Sequence, residues 1–206
     1  MNEEWYRKQI EGLYFILDDA NKKVKEHGAL CLDIGGGLCH LAVFDEGELI
    51  HAASLPIGSK NITNDLAIAI KTSLENAEKV KLEYGFIGHG HGGKKDNLDL
   101  SNLTDEDDFV VSRKLIGEVI TDRVSEIADV IASELKKVNR PKLLAGGVVL
   151  SGGGAKLLGF TEYIKEKLKL PSRRASSYEF DGVTSQIDDP AWAVAAPLVT
   201  PVPLEA

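Results

Sequence analysis

Two segments, Leu32-Asp33-Ile34-Gly35-Gly36-Gly37 and Gly147-Val148-Val149-Leu150-Ser151-Gly152-Gly153-Gly154-Ala155, repeat one local device. In each, an apolar run leads into three glycines. The first triple sits in the turn of a hairpin, the second between a strand and a helix. Successive glycines permit positive φ and remove every Cβ, so a bulky ligand can approach the backbone closely. Free N–H groups in such turns form a nest for phosphate oxygens. At the second site the start of the following helix adds its positive dipole end. Asp33 is a hard oxygen ligand, suited to Mg²⁺ held partly through water. A lone triple glycine is an ordinary tight turn. Two of them, in this order and 117 residues apart, are much more specific.

Around the first triple, Ala29 to Ile34, Leu38 to Phe44 and Glu48 to Leu55 read as strands of an antiparallel meander, with Asp45-Glu46-Gly47 as a turn. Asn61 or Thr63 is a candidate cap for a helix reaching about Ile70, and Ser73 to Tyr84 reads as a second helix closed by Gly85. Residues 85–108 are the most loop-like. His89 and His91, set among glycines with no nearby cysteine, make a poor metal frame. Val110 to Val138 predicts one long amphipathic helix, with Leu115, Ile116, Val119, Ile120, Val124, Ile127, Ile131 and Leu135 inward. Around the second triple, Ala145 to Leu150 reads as a strand and Leu157 to Leu168 as a helix. Asp189-Pro190 opens a last short helix. Upstream, residues 3 to about 27 carry Ile10, Leu13, Leu17, Ala20 and Val24 at helical spacing, the stripe of a helix docked on its own sheet, with Gly28 as its stop.

Composition narrows the class. The chain has 206 residues, 43% hydrophobic and 27% charged, which is globular and not disordered. Its net charge of −8 provides no general field for nucleic acid or an anionic membrane face. Cys31 and Cys39 are the only cysteines, which fits a reducing compartment better than a disulfide scaffold. No apolar run reaches the ~18 residues of a membrane span. Met1-Asn2-Glu3-Glu4 lacks the features of a signal peptide. The expectation is a soluble, cytoplasmic α/β domain.

The first triple with its strand resembles the second phosphate motif of the actin-like ATPase superfamily, and the second resembles that superfamily's adenosine motif. Pro56-Ile57-Gly58, Ile62-Thr63-Asn64-Asp65-Leu66-Ala67, Ala77-Glu78-Lys79-Val80-Lys81 and Tyr84-Gly85 narrow the likeness to the bacterial cell-division protein FtsA. So do Val111-Ser112-Arg113 and Asp189-Pro190-Ala191. The pilus-assembly protein PilM is the alternative relative. The resemblance covers about residues 29–198. It implies one ribonuclease-H-like lobe: a mixed sheet with flanking helices and a small outer subdomain. Residues 1–28 would be an N-terminal amphipathic helix, 29–81 with 141–206 the nucleotide-binding core, and 82–140 the outer subdomain that meets a partner. Because only 32 residues precede Asp33, the chain reads as the second lobe alone.

The resemblance also implies roles. Asp33 would face Mg²⁺ and the phosphates of ATP, with Gly35, Gly36 and Gly37 giving backbone N–H groups. Gly152, Gly153 and Gly154 would let adenosine lie on the backbone, and Glu78 and Lys81 would contact the ribose, being i and i+3 on one helix face. Arg123 and Glu126 would receive the C-terminal tail of an FtsZ-like partner, Arg123 gripping a carboxylate. Self-association into filaments follows from the superfamily. The family usually has Thr-Thr-Asp after the triple glycine, where this chain has Leu38-Cys39-His40. Cys39 reads as a buried filler and His40 as a packed histidine, and no residue is assigned as catalytic. Binding of ATP is expected to be weak and hydrolysis by this chain alone is not expected. The alternative is a peptide-binding module that no longer needs nucleotide. Pro201-Val202-Pro203-Leu204-Glu205-Ala206 carries no amphipathic membrane anchor, so attachment to the membrane at the division site would come through a partner or a missing segment.

Overall fold

Ala29–Ile34 (β1) is buried along its whole length, the mark of a strand covered on both faces. Leu30, Leu32 and Ile34 enter a large core, while Ala29 and Cys31 point the other way into a smaller cluster. The structure is a computed structural model and describes residues 12–13, 24, 26–88, 96–104, 108–138, 144–175 and 189–191. Around β1 lie Cys39–Asp45 (β2) and Glu48–Leu55 (β3) on one side, and Gly147–Ser151 (β6) and Ser172–Arg174 (β7) on the other. The five-stranded order is β3-β2-β1-β6-β7, antiparallel through β3, β2 and β1 and parallel through β1, β6 and β7. Glu46 and Gly47, with φ of 52° and 85°, form the two-residue turn between β2 and β3.

The large core is closed by Ser59–Ile70 (α1), Leu74–Tyr84 (α2), Arg113–Leu135 (α4) and Phe160–Leu168 (α5). Helix α4 contributes Ile116, Ile120, Val124, Ile127 and Ile131 to the same core that holds Leu30 and Leu32 of β1. A second sheet pairs Asn97–Asp99 (β4) with Val110–Ser112 (β5), and Ser101–Thr104 (α3) lies between them.

Several boundaries differ from the sequence reading. The long helix starts at Arg113, because Ser112 caps it by accepting from Leu115 N–H, and Val110–Ser112 is spent in β5. The helix read over 157–168 starts only at Phe160, after Gly159 at φ 86°, and a separate 3-10 turn, Gly153–Lys156, precedes it. Helix α1 begins after Gly58, with Asn61 accepting from the Gly58 N–H at 2.9 Å. The N-terminal helix lies mostly outside the described residues. Leu13 and Val24 of its stripe do pack on the smaller cluster, and Gly28 has the left-handed φ of 77° that ends helices. His89, His91 and the helix after Pro190 lie outside the described residues. Among the described residues no helix is long and apolar enough to cross a membrane.

Candidate functional site

Strand register places four polar side chains in one row across the sheet. Ser54 of β3 pairs with His40 of β2, His40 with Asp33 of β1, and Asp33 with Ser151 of β6. The row continues the face that farther along holds Ala29, Cys31 and Phe44. His40 Nδ1 and Ser54 Oγ share a hydrogen bond of 2.6 Å, and Ser151 Oγ donates to Asp33 Oδ1 at 3.1 Å. Burial raises the Asp33 carboxyl above its ordinary value, and the bond from Ser151 offsets part of that. No cationic side chain among the described residues compensates this carboxylate. Burial also lowers His40, keeping the imidazole neutral. Cys39, on the opposite face, is pushed up to about 12 by burial and then by the Asp33 charge, so it is an inert filler.

A buried, uncompensated carboxylate fits a hard cation. No group of three or more His, Cys, Asp or Glu is placed to hold a metal ion among the described residues, so a cation at Asp33 would take most of its ligands from elsewhere. That suits Mg²⁺, which keeps several waters and takes the rest of its ligands from phosphate.

The two glycine turns converge on Asp33. A Cβ on Gly152 would lie 2.5 Å from Ile34 O and 2.8 Å from Asp33 Oδ1, and Gly152 has φ 83°, so only glycine fits there. The first turn does not use positive φ. Its glycines serve close approach instead: the carbonyls of Gly35 and Gly36 accept from Ser59 N–H at 2.9 Å and Lys60 N–H at 2.7 Å. Gly35 N–H closes the turn on Leu38 O at 3.0 Å, and Gly152 N–H reaches Pro190 O at 2.8 Å. Those two amides are therefore spent inside the protein. The amides of Gly36 and Gly37 donate to no backbone carbonyl among the described residues.

Beside the second turn opens a cleft of about 510 Å³, lined by Glu78, Lys81 and Leu82 of α2 and by Gly153, Gly154 and Leu158. Leu82 and Leu158 are exposed at 76% and 65%, giving the cleft an apolar rim. Glu78 and Lys81 share a face, as their spacing requires, but Lys81 is buried at 7% exposure. Its ammonium meets Glu78 Oε2 at 2.7 Å, Thr63 Oγ1 at 2.9 Å and Ser59 O at 3.4 Å. Thr63 Oγ1 donates in turn to Glu78 Oε2. Burial works to raise Glu78, and the bonds from Lys81 and Thr63 outweigh it and hold the carboxyl below its ordinary value. Nothing in the sequence marks Ser59; Thr63 reads there as a candidate helix cap and Ser151 lies inside the second motif, and neither is assigned to the site.

Arg123 and Glu126 lie on α4, away from this cleft. The guanidinium is gripped by Asp65 of α1, Nη2 to Oδ1 at 2.9 Å and Nε to Oδ2, while Nη1 bonds Glu126 Oε2 at 2.6 Å. The expected bidentate carboxylate is therefore an internal one. Val130, 39% exposed, continues the line of Arg123 and Glu126 along α4.

The family model for cell division protein FtsA matches residues 30–196. Cell division protein FtsA of Pseudomonas aeruginosa is 29% identical over 192 residues, covering 93% of this chain and 45% of that protein. The PilM–PilN type IV pilus biogenesis complex superposes with a TM-score of 0.69 at 20% identity, covering 92% of this chain and 50% of that one. MreB 5 of Spiroplasma citri bound to AMPPNP gives 0.67 at 19% identity, covering 91% and 57%. These two likenesses concern the fold, which is that of actin-like ATPases. The chain spans about half the length of the relatives it matches.

Proposed function

The chain belongs to the FtsA family of cell division proteins, and on that premise we propose that it is an ATP-binding lobe that also docks the C-terminal tail of an FtsZ-like partner. The observation that carries the nucleotide reading is the convergence of four assigned residues from two distant segments, Glu78, Lys81, Gly153 and Gly154, on one cleft. Adenosine lies on Gly153 and Gly154 between Leu82 and Leu158, and the ribose lies beside Glu78 and Lys81. The phosphates run toward Asp33 and the amides of Gly36 and Gly37. Mg²⁺ at Asp33, when bound, neutralises phosphate charge. The relative of this fold that binds AMPPNP supports this reading.

Leu38 stands where a hydroxyl would face the phosphates, and no general base is assigned, so this lobe alone binds without turnover. One wall of contacts gives a dissociation constant in the high micromolar range or weaker. Calorimetry with Mg-ATP tests this, with Glu78→Ala as the comparison. Binding by wild type that Glu78→Ala weakens supports the reading. A wild type silent to ATP at millimolar concentration overturns it.

The partner surface is the α4 line of Arg123, Glu126 and Val130. It offers charge beside a half-exposed aliphatic, the chemistry of a short amphipathic peptide site. Fluorescence titration with the tail of the cognate FtsZ is the test, and no binding by wild type would redirect the assignment to a pilus-type partner.

A further inference from the structure

We propose that Lys81 is a positioning residue, which sets the Gly35–Gly37 turn through Ser59 instead of contacting ligand itself. The proposal rests on the nucleotide reading above for its purpose, but its geometry stands without nucleotide. An ammonium has three N–H donors. Those of Lys81 meet Glu78 Oε2, Thr63 Oγ1 and Ser59 O. Lys81 is also buried, so a fourth partner in the cleft would have to displace one of these. Glu78 differs: its side chain is 41% exposed at the cleft, and only Oε2 is engaged among the described residues. The carboxylate is thus the member of the pair that can accept from ribose hydroxyls.

Ser59 is the other end of the link. Its N–H and its Oγ–H both donate to Gly35 O, at 2.9 and 3.1 Å. Lys60 N–H adds a bond to Gly36 O, and the Lys60 stem lies over Gly36. A Cβ at Gly58 would come within 2.6 Å of Gly36 O and 2.7 Å of Gly35 O, so the first turn of α1 sits hard against the phosphate turn. A continuous path therefore runs from Glu78 through Lys81 and Ser59 to Gly35. Whatever engages Glu78 at the nucleoside end also acts on the turn two residues from Asp33.

The test uses amide hydrogen exchange on the whole chain without nucleotide. The reporters are the Ser59 and Lys60 amides, which bridge α1 to the turn. Lys81→Met should speed their exchange about three- to tenfold, the factor that one lost hydrogen bond makes in a local opening. Lys79→Met, on another face of the helix and paired with exposed Glu75, should leave them unchanged. If Lys81→Met does not fold, Lys81→Gln, which removes the ammonium but keeps an amide donor at the same position, gives the same reading at smaller amplitude. Unchanged exchange in both variants overturns the proposal. A second arm titrates ATP and adenosine: Ser59→Ala, at the edge of the same cleft, should weaken ATP about fivefold and adenosine much less, a split that a general loss of stability would not produce. Equal weakening of both ligands overturns the positioning role. Altered exchange with no ATP binding by wild type supports the link and overturns the nucleotide reading alone.

Discussion

Ser151 stands directly opposite Asp33 across the parallel β1–β6 pair and donates to its Oδ1 at 3.1 Å. This one bond joins the two glycine motifs, which the sequence holds 117 residues apart. It does not fully satisfy Asp33, whose carboxyl stays raised by burial. Asp33 is therefore a strained charge kept in place, a pattern of functional sites that give up stability for binding.

Asp33→Asn keeps an oxygen for Ser151 and deletes the buried charge. It should raise the melting temperature at neutral pH by about 2–4 °C, the shift that ~1 kcal/mol makes at this size. The sign follows from linkage. A carboxyl raised in the folded state contributes stability below its unfolded value, near 3.8, and loses it as pH rises through the folded value. The gap between variant and wild type should thus be small in acid and open toward neutrality. Asp33→Asn should also remove any gain in ATP affinity on adding Mg²⁺. A variant less stable than wild type at pH 7 would refute the account.

The six glycines of the two motifs should behave differently. A Cβ on Gly154 would meet Ile34 Cγ2 at 2.3 Å, whereas at Gly37 and Gly153 nothing lies within 4 Å. Gly154→Ala should cost about 1–3 kcal/mol through overpacking. Gly37→Ala and Gly153→Ala should stay within about 0.5 kcal/mol of wild type yet weaken ATP binding, because their open space is reserved for ligand. Denaturant melts and calorimetry on the three variants separate these outcomes. Full ATP affinity in Gly37→Ala and Gly153→Ala would remove both from the site.

What the sequence made legible was set by how local each signal is. β1 and β3 are read at their observed ends because an apolar run bounded by glycine and proline needs nothing distant to explain it. β4 and β5 escape, since three-residue strands have no periodicity and exist only by pairing across the ten residues between them. Helix α1 starts earlier than its sequence suggests, because Asn61 looks like a cap. It serves from inside the first turn, and the residue outside is Gly58, chosen for its closeness to Gly35 and Gly36. Glu78 and Lys81 were legible as a pair. That Lys81 is buried was not, because its partners Ser59 and Thr63 come from the neighbouring helix. Asp65, likewise, gives no hint in sequence that it takes the Arg123 fork.

His40 gives the pH prediction. Its folded-state value is lowered by burial from about 6.5. Below that pH the unfolded chain takes up a proton that the folded chain refuses, so stability falls as pH drops from 7.5 toward 5.5. The slope for one group cannot exceed about 1.4 kcal/mol per pH unit. His40→Gln, which can still bond Ser54 Oγ, should flatten this part of the profile. Thermal melts at half-unit pH steps provide the check, and an unchanged slope in the variant would mean that His40 takes up its proton equally in the folded and unfolded chains.

Arg123 and Asp65 supply the last prediction, in which stability and binding separate. The pair joins α4 to α1 with both side chains about a quarter exposed, so a double-mutant cycle on Arg123→Ala and Asp65→Ala should return a coupling of about 1 kcal/mol. Both single variants should therefore melt below wild type. On the tail-docking reading, a peptide carboxylate must displace Asp65 to reach the guanidinium. Arg123→Ala should then weaken binding of the FtsZ tail, while Asp65→Ala, by freeing the fork, should tighten it about threefold. Titrations at low and high salt should show the gain shrinking as ions screen the contact. Opposite signs in binding with the same sign in stability are hard to obtain from unfolding alone. If both variants weaken the tail equally, the pair is only the joint between α1 and α4, and the partner surface must be sought along Glu126 and Val130 without Arg123.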